Sequence, residues 1–114
     1  MLILPIKAKW FNMILSGIKT EEYRELKPYW ATRFRNAGLL DDDGPTGKTV
    51  NAYFINGYAA RGPIIRAKVT LYISEGRPEW GAEPGKYYFV LFVFPDFASW
   101  DGYDRKQIFE RAAG

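Results

Sequence analysis

The amino-acid sequence predicts an α+β, mainly β fold: a small β-barrel of about five strands with two or three helices at its rim. Three observations point there. "IIRAKVTLYI" (64–73) has the clearest two-residue alternation in the chain. "YYFVLFVF" (87–94) is apolar at both odd and even positions. "KAKWFNMILS" (7–16) carries apolar residues at helical spacing and runs into a glycine. A strand apolar on both sides must be covered on both faces, as in the middle of a closed or packed sheet. In a flat open sheet it would be a long, sticky edge. An α+β sandwich is the architectural alternative.

The elements follow in order. "LILPI" (2–6) is a short apolar strand closed by Pro5. In the helix over 7–16, Trp10, Met13 and Ile14 form the stripe, with Phe11 and Leu15 beside it. Gly17 tolerates the left-handed conformation that ends a helix. "KTEEYRE" (19–25) reads as a strand. "PYWATRFRNAG" (28–38) has proline at its first turn, Trp30 and Phe34 four apart, and Gly38 as a stop, so a second short helix is expected. "LLDDDGPTGK" (39–48) reads as a polar, turn-rich loop with a solvated aspartate run.

The remainder is β in character. "TVNAYFI" (49–55) alternates and ends at the loop "NGYAARGP" (56–63). In the next strand Ile65, Ala67, Val69, Leu71 and Ile73 are expected to face inward, with Arg66, Lys68, Thr70 and Tyr72 outward. "EGRPEWGAEPGK" (75–86) is a long connection rich in glycine and proline. In the C-terminal extension (96–114), "DRKQIFERAA" is an amphipathic helix candidate that Asp104 can cap, anchored by Trp100, Tyr103, Ile108 and Phe109.

Composition narrows the chemistry. The 114 residues suit one domain with one core, and a 47% apolar and 18% aromatic content argues against disorder. With no Cys and no His, thiol chemistry, imidazole acid–base catalysis and the usual zinc ligand sets are excluded. No cofactor and no metal site is expected. "MLILPIKAKW" is too short an apolar run, with lysines on the wrong side, for a signal peptide. No stretch approaches the roughly 18 apolar residues of a membrane helix. A cytoplasmic protein without membrane attachment is therefore expected.

Net charge is only +3, but it is uneven. Residues 1–38 hold seven cations (Lys7, Lys9, Lys19, Arg24, Lys27, Arg33, Arg35) and three acids (Glu21, Glu22, Glu25), an asymmetry that suits an anionic partner. At its centre lies "SGIKTEEYRELKPYW" (16–30). On a strand Glu22 and Arg24 point to the same face, about 7 Å apart at the backbone. Lys19 has the opposite parity and converges on them only if the chain turns at Gly17. That corner would display Lys19, Glu22 and Arg24 into one cleft. The plain alternative is a surface ion pair worth about 0–1 kcal/mol beside a solvated lysine.

The segment "LPIKAKWFNMILSGIKTEEYRELKPYW" resembles the ASCH domain, a branch of the PUA-like β-barrel superfamily. The family's signature, Gly-x-Lys-x-x-Glu-x-Arg after a first helix, reads here as Gly17, Lys19, Glu22 and Arg24 without a gap. "FINGY" and "EWGAEPGKYYFVL" look like one subgroup of the same family, and the resemblance covers about residues 2–94. It implies a barrel with a cleft between first helix and sheet, lined by the signature residues. It also implies RNA, a nucleotide or a modified nucleoside as partner. Some stand-alone members are enzymes, amidohydrolases of acetylated cytidines or ribonucleases, which would make Lys19 and Glu22 catalytic candidates. In the amidohydrolase group a threonine matches Glu22; here the nearest threonine, Thr20, is offset by two.

Around this motif the ligand-binding candidates are Gly17, Lys19, Glu22 and Arg24, together with Lys9 for a phosphate and Tyr58 for stacking on a base. Arg33 and Arg35 are possible phosphate contacts, and Trp80 is expected to seal a barrel end. Glu75 and Glu83 flank the 75–86 connection; either could be the acid that complements Lys19, and nothing in the sequence chooses between them. Oligomeric state is open.

Overall fold

Glycine and proline punctuation sets the element boundaries much as expected. The computed structural model describes residues 2–57 and 64–95. Strand β1 (Leu2–Ile6) leads into helix α1 (Ala8–Leu15), strand β2 (Glu21–Arg24) and helix α2 (Pro28–Asn36). A two-residue hairpin, β3 (Leu40–Asp41) and β4 (Gly44–Pro45), precedes the long strands β5 (Thr49–Asn56), β6 (Ile64–Glu75) and β7 (Tyr87–Pro95). A short 3-10 turn, Pro78–Trp80, sits in the β6–β7 connection.

Five strands make one sheet in the order β1-β5-β6-β7-β2, with β1 parallel to β5 and the other pairs antiparallel. The sheet curls into a half-barrel. The expected barrel is therefore only partly closed: β1 and β2 are its edges and do not pair with each other. The 96–114 helix candidate and the loop 58–63, with Tyr58, lie outside the described residues.

The concave face holds the main core. Leu4, Phe54, Ile65, Val69, Leu91 and Val93 meet Phe11 and Ile14 of α1 and Phe34 of α2 there. Strand β7 behaves as its composition predicts: Phe89, Leu91 and Val93 enter this core while Tyr88 and Val90 are buried on the other face. Strand β5 does not keep its apparent alternation, because Ala52 to Ile55 are all buried. Ala52 and Phe54 join the main core, whereas Tyr53 and Ile55 pack with Ile3 and Ile64 on the opposite face. A central strand covered on both faces has no polar side to present.

Three expectations need correction. Ile73 was expected inside with its row; Ile65, Ala67, Val69 and Leu71 are buried, but Ile73 is 43% exposed, beyond the reach of the core cluster. The helix stripe centres on Phe11 and Ile14, with Trp10 and Met13 only half-buried. The segment 39–48 contains a hairpin, and its first residue, Leu39, is buried in the core. The reason is the end of α2: Gly38 adopts φ +83°, its N–H reaches the Arg35 carbonyl, and Leu39 N–H reaches the Phe34 carbonyl. This paired cap brings the residue after the glycine back onto the helix, so Leu39 meets Phe34.

Candidate functional site

The corner at Gly17 is formed as the motif requires. Gly17 adopts φ +82° and its N–H reaches the Ile14 carbonyl, while Lys19 N–H reaches the Met13 carbonyl at 3.0 Å. The chain thus wraps under the end of α1 and turns the Lys19 side chain inward. Lys19 is 1% exposed and Glu22 5%. The ammonium donates to Glu22 Oε1 at 3.1 Å and to the Glu21 carbonyl, and lies 5.3 Å from the Tyr23 ring and 5.7 Å from the Trp10 ring.

Strand β2 aims Glu22 and Arg24 together, opposite Leu91 and Phe89 of β7, onto the concave face. Glu22 Oε1 also accepts the Tyr23 N–H at 3.2 Å and lies 3.6 Å from Arg24 Nη1. Arg24 donates through Nη1 to the Tyr23 carbonyl at 2.7 Å and through Nη2 to the Pro5 carbonyl at 3.2 Å. Its guanidinium carbon lies 5.0 Å from the Trp30 ring. Three sequence-predicted residues are therefore one cluster. Its other carboxylate oxygen, Glu22 Oε2, is buried and has no hydrogen-bond partner among the described residues. An ionised oxygen left in that state is costly unless something supplies a donor.

The electrostatic balance of the cluster falls on Lys19. Burial draws the Lys19 ammonium below its ordinary value, with Arg24 acting in the same sense, and Glu22 opposes both through its charge and hydrogen bond. On the opposite side of β2, Glu21 accepts the Tyr23 hydroxyl at 2.9 Å and the Tyr72 hydroxyl at 3.0 Å, tying β2 to β6 across β7. Burial, and then the Glu21 hydrogen bond, push the Tyr72 phenol up to about 12. An unfolded tyrosine ionises near pH 10, so between about pH 10 and 12 the unfolded chain releases this proton first. Stability is accordingly expected to fall as pH rises through that window. Urea denaturation at pH 9, 10, 11 and 12 checks this, with a shallower decline in Tyr72→Phe; equal slopes in both proteins would refute it.

The cluster opens on a cleft of about 1060 Å³ that runs along the gap between the edges of the half-barrel. Ile3 and Pro5 of β1 and Glu22 and Arg24 of β2 line its floor; Trp10, Tyr29, Trp30 and Trp80 supply aromatic walls. Gly81 brings the Trp80 turn close: with φ +100°, a side chain there would stand 2.9 Å from the Trp10 ring. Five cations (Lys7, Arg24, Lys27, Arg33, Lys86) and three acids (Glu22, Glu25, Glu83) line it, so the cleft is net positive. Glu25 is shared by Lys27 at 2.9 Å and Lys86 at 3.9 Å on the rim.

Other candidates divide cleanly. Glu83 lines the cleft and Glu75 does not. Arg33 lines it, while Arg35 pairs with Asp42 at 2.9 Å outside it. Lys9 is exposed, 4.7 Å from the Trp10 ring, and is not among the lining residues. Gly17 shapes the corner without lining the cleft, and Lys19 stands behind Glu22 rather than in the lining. Lys7, Lys27 and Lys86 border the cleft although no motif marks them, and Trp10 and Trp30, expected only in helix stripes, form part of its walls. Periodicity gives a helix one apolar face; it does not say which margin of that face borders an opening.

Among the described residues no three His, Cys, Asp or Glu side chains gather as a metal set. No described helix is long and apolar enough to cross a membrane. Neither a family model, nor a curated protein, nor a solved structure matches this chain.

Proposed function

We propose that the cleft binds single-stranded RNA, or a nucleotide or nucleoside derived from it, by admitting an unpaired base against Glu22. The observation that carries this reading is the buried Oε2 of Glu22, without a partner among the described residues, on a residue that lines an aromatic-walled, net-positive cleft. A carboxylate oxygen recognises the N–H donors on a base edge. Tryptophan and tyrosine walls suit stacking, worth about 1–3 kcal/mol per base. Arg33 and the rim lysines Lys7, Lys27 and Lys86 suit the phosphates that follow the base. The likeness of Gly17, Lys19, Glu22 and Arg24 to the ASCH signature supports the same reading, with the half-barrel as a small PUA-like fold and a cytoplasmic setting.

Titrating the protein's tryptophan fluorescence with a five-nucleotide single strand, the corresponding duplex and a mononucleotide tests it. Single strands should bind at least about tenfold more tightly than duplex, and binding should weaken as salt rises. Glu22→Gln keeps the shape but replaces an ionised acceptor, so it should cost about 1.5–3 kcal/mol of affinity. Equal binding by Glu22→Gln and the unaltered protein would end the assignment.

One observation favours hydrolysis of an acylated nucleoside or of RNA as a second reading: the lowered proton affinity of Lys19, which suits a general base. Its ammonium is spent on Glu22 and the Glu21 carbonyl, so this reading requires the pair to separate during turnover. Incubation with acetylcytidine and with single-stranded RNA decides it; product formation that persists in Lys19→Met removes the role of Lys19.

A further inference from the structure

We infer that Arg24 is a clasp that closes the half-barrel, joining two sheet edges that no strand connects. The edges are defined by the hydrogen-bond alternation. Ile6 gives its carbonyl to Gly57 N–H after β5, so Leu2, Leu4 and Ile6 of β1 face β5 and Ile3 and Pro5 face outward. Thr20 gives its carbonyl to Val93 N–H of β7, so Glu22 and Arg24 are bonded inward by their backbones while Glu21 and Tyr23 face outward.

All four outward carbonyls of these edges accept a side-chain cation. On β2, Glu21 takes Lys19 and Tyr23 takes Arg24. On β1, Pro5 takes Arg24 and Ile3 takes Arg33 at 2.8 Å. The outward Tyr23 N–H goes to Glu22 Oε1, and Pro5 has no N–H to leave open. The Lys19–Glu22–Arg24 cluster, together with Arg33, therefore takes the place of a missing strand. Unpaired edges are templates for pairing with another chain, and buried or charged side chains set across them are one way proteins prevent it.

Arg24 alone in this set touches both edges. Its planar fork sends one nitrogen to Tyr23 and the other to Pro5, with the guanidinium carbon 5.0 Å from the centre of the Trp30 ring. A lysine offers the same charge as a single compact point and cannot reproduce a planar, two-directional contact. The inference does not depend on any ligand: the clasp sets the width of the cleft whether or not an RNA base enters it.

The test is made on ligand-free protein. Arg24→Lys should lower hydrogen-exchange protection in peptides covering β1 and β2 by at least about tenfold, leave the central strands β5 and β6 unchanged, and yield concentration-dependent oligomers by light scattering. Arg33→Lys, which loses the Ile3 contact on β1 and the Tyr29 contact within α2 but none on β2, should lower protection in β1 and leave β2 unchanged. If Arg24→Lys does not fold, NMR on the unaltered protein still decides: Arg24 Nη protons should exchange slowly and show NOEs to both Pro5 and Tyr23. Parent-like protection and a monomeric state in Arg24→Lys, or Nη protons that exchange freely in the unaltered protein, would overturn the clasp.

Discussion

Replacing Lys19 with methionine is expected to lower folding stability by about 3 kcal/mol, the cost of taking the nearer of two cations from a buried carboxylate and leaving it Arg24 at 3.6 Å. The expectation rests on burial: Lys19 and Glu22 are almost fully enclosed, and the ammonium satisfies both Glu22 Oε1 and the Glu21 carbonyl. Methionine fills a similar volume but supplies no donor, so the Glu21 carbonyl loses its side-chain donor and Glu22 Oε1 keeps only the Tyr23 N–H and the more distant Arg24. The double variant Lys19→Met/Glu22→Leu should recover a large part of the loss, because the stranded charge is gone. Urea denaturation of the two single variants and the double variant measures this coupling. A loss below about 1 kcal/mol for Lys19→Met would mean that the pair behaves as a solvated surface pair, against the burial on which the site is built.

The second large effect is expected at Phe34, fully buried in the last turn of α2. Its ring meets Phe89 edge-on at 5.2 Å and stacks near Trp30 at 6.1 Å, so it seats the helix on the sheet and backs one wall of the cleft. Phe34→Ala should cost about 3–5 kcal/mol, through lost burial and the cavity left behind. Because α2 also carries Arg33, whose guanidinium holds the Ile3 carbonyl, the same variant should raise exchange in β1. Denaturation curves give the first quantity and hydrogen exchange the second. A Phe34→Ala protein as stable as the parent would show that α2 is held by its ends rather than by its core face.

These two residues also show how far a linear reading reaches. Phe34 was legible: it stands four residues after Trp30 in a segment with proline at its start and glycine at its end, and the helix forms there. Glu22 and Arg24 were legible as a pair, since residues two apart on a strand share a face, and both line the cleft. Lys19 was legible only as a condition, namely that Gly17 make a corner. The corner exists, yet its result is a buried lysine behind the carboxylate rather than one displayed beside it. Nothing local announces that enclosure, because it is built from Trp10, Tyr23 and the Met13 carbonyl together.

Helix stops, the shared face of Glu22 and Arg24, the double-sided strand β7 and the lack of any thiol or imidazole were determined by the sequence alone, because each depends on neighbours along the chain or on composition. The tertiary structure decided which acid, Glu83 rather than Glu75, borders the cleft, and that the barrel stops half-closed with a guanidinium spanning the gap. Those outcomes depend on strands far apart in sequence meeting or failing to meet. Such contacts are fixed by the packing of the whole core, and no local period encodes them.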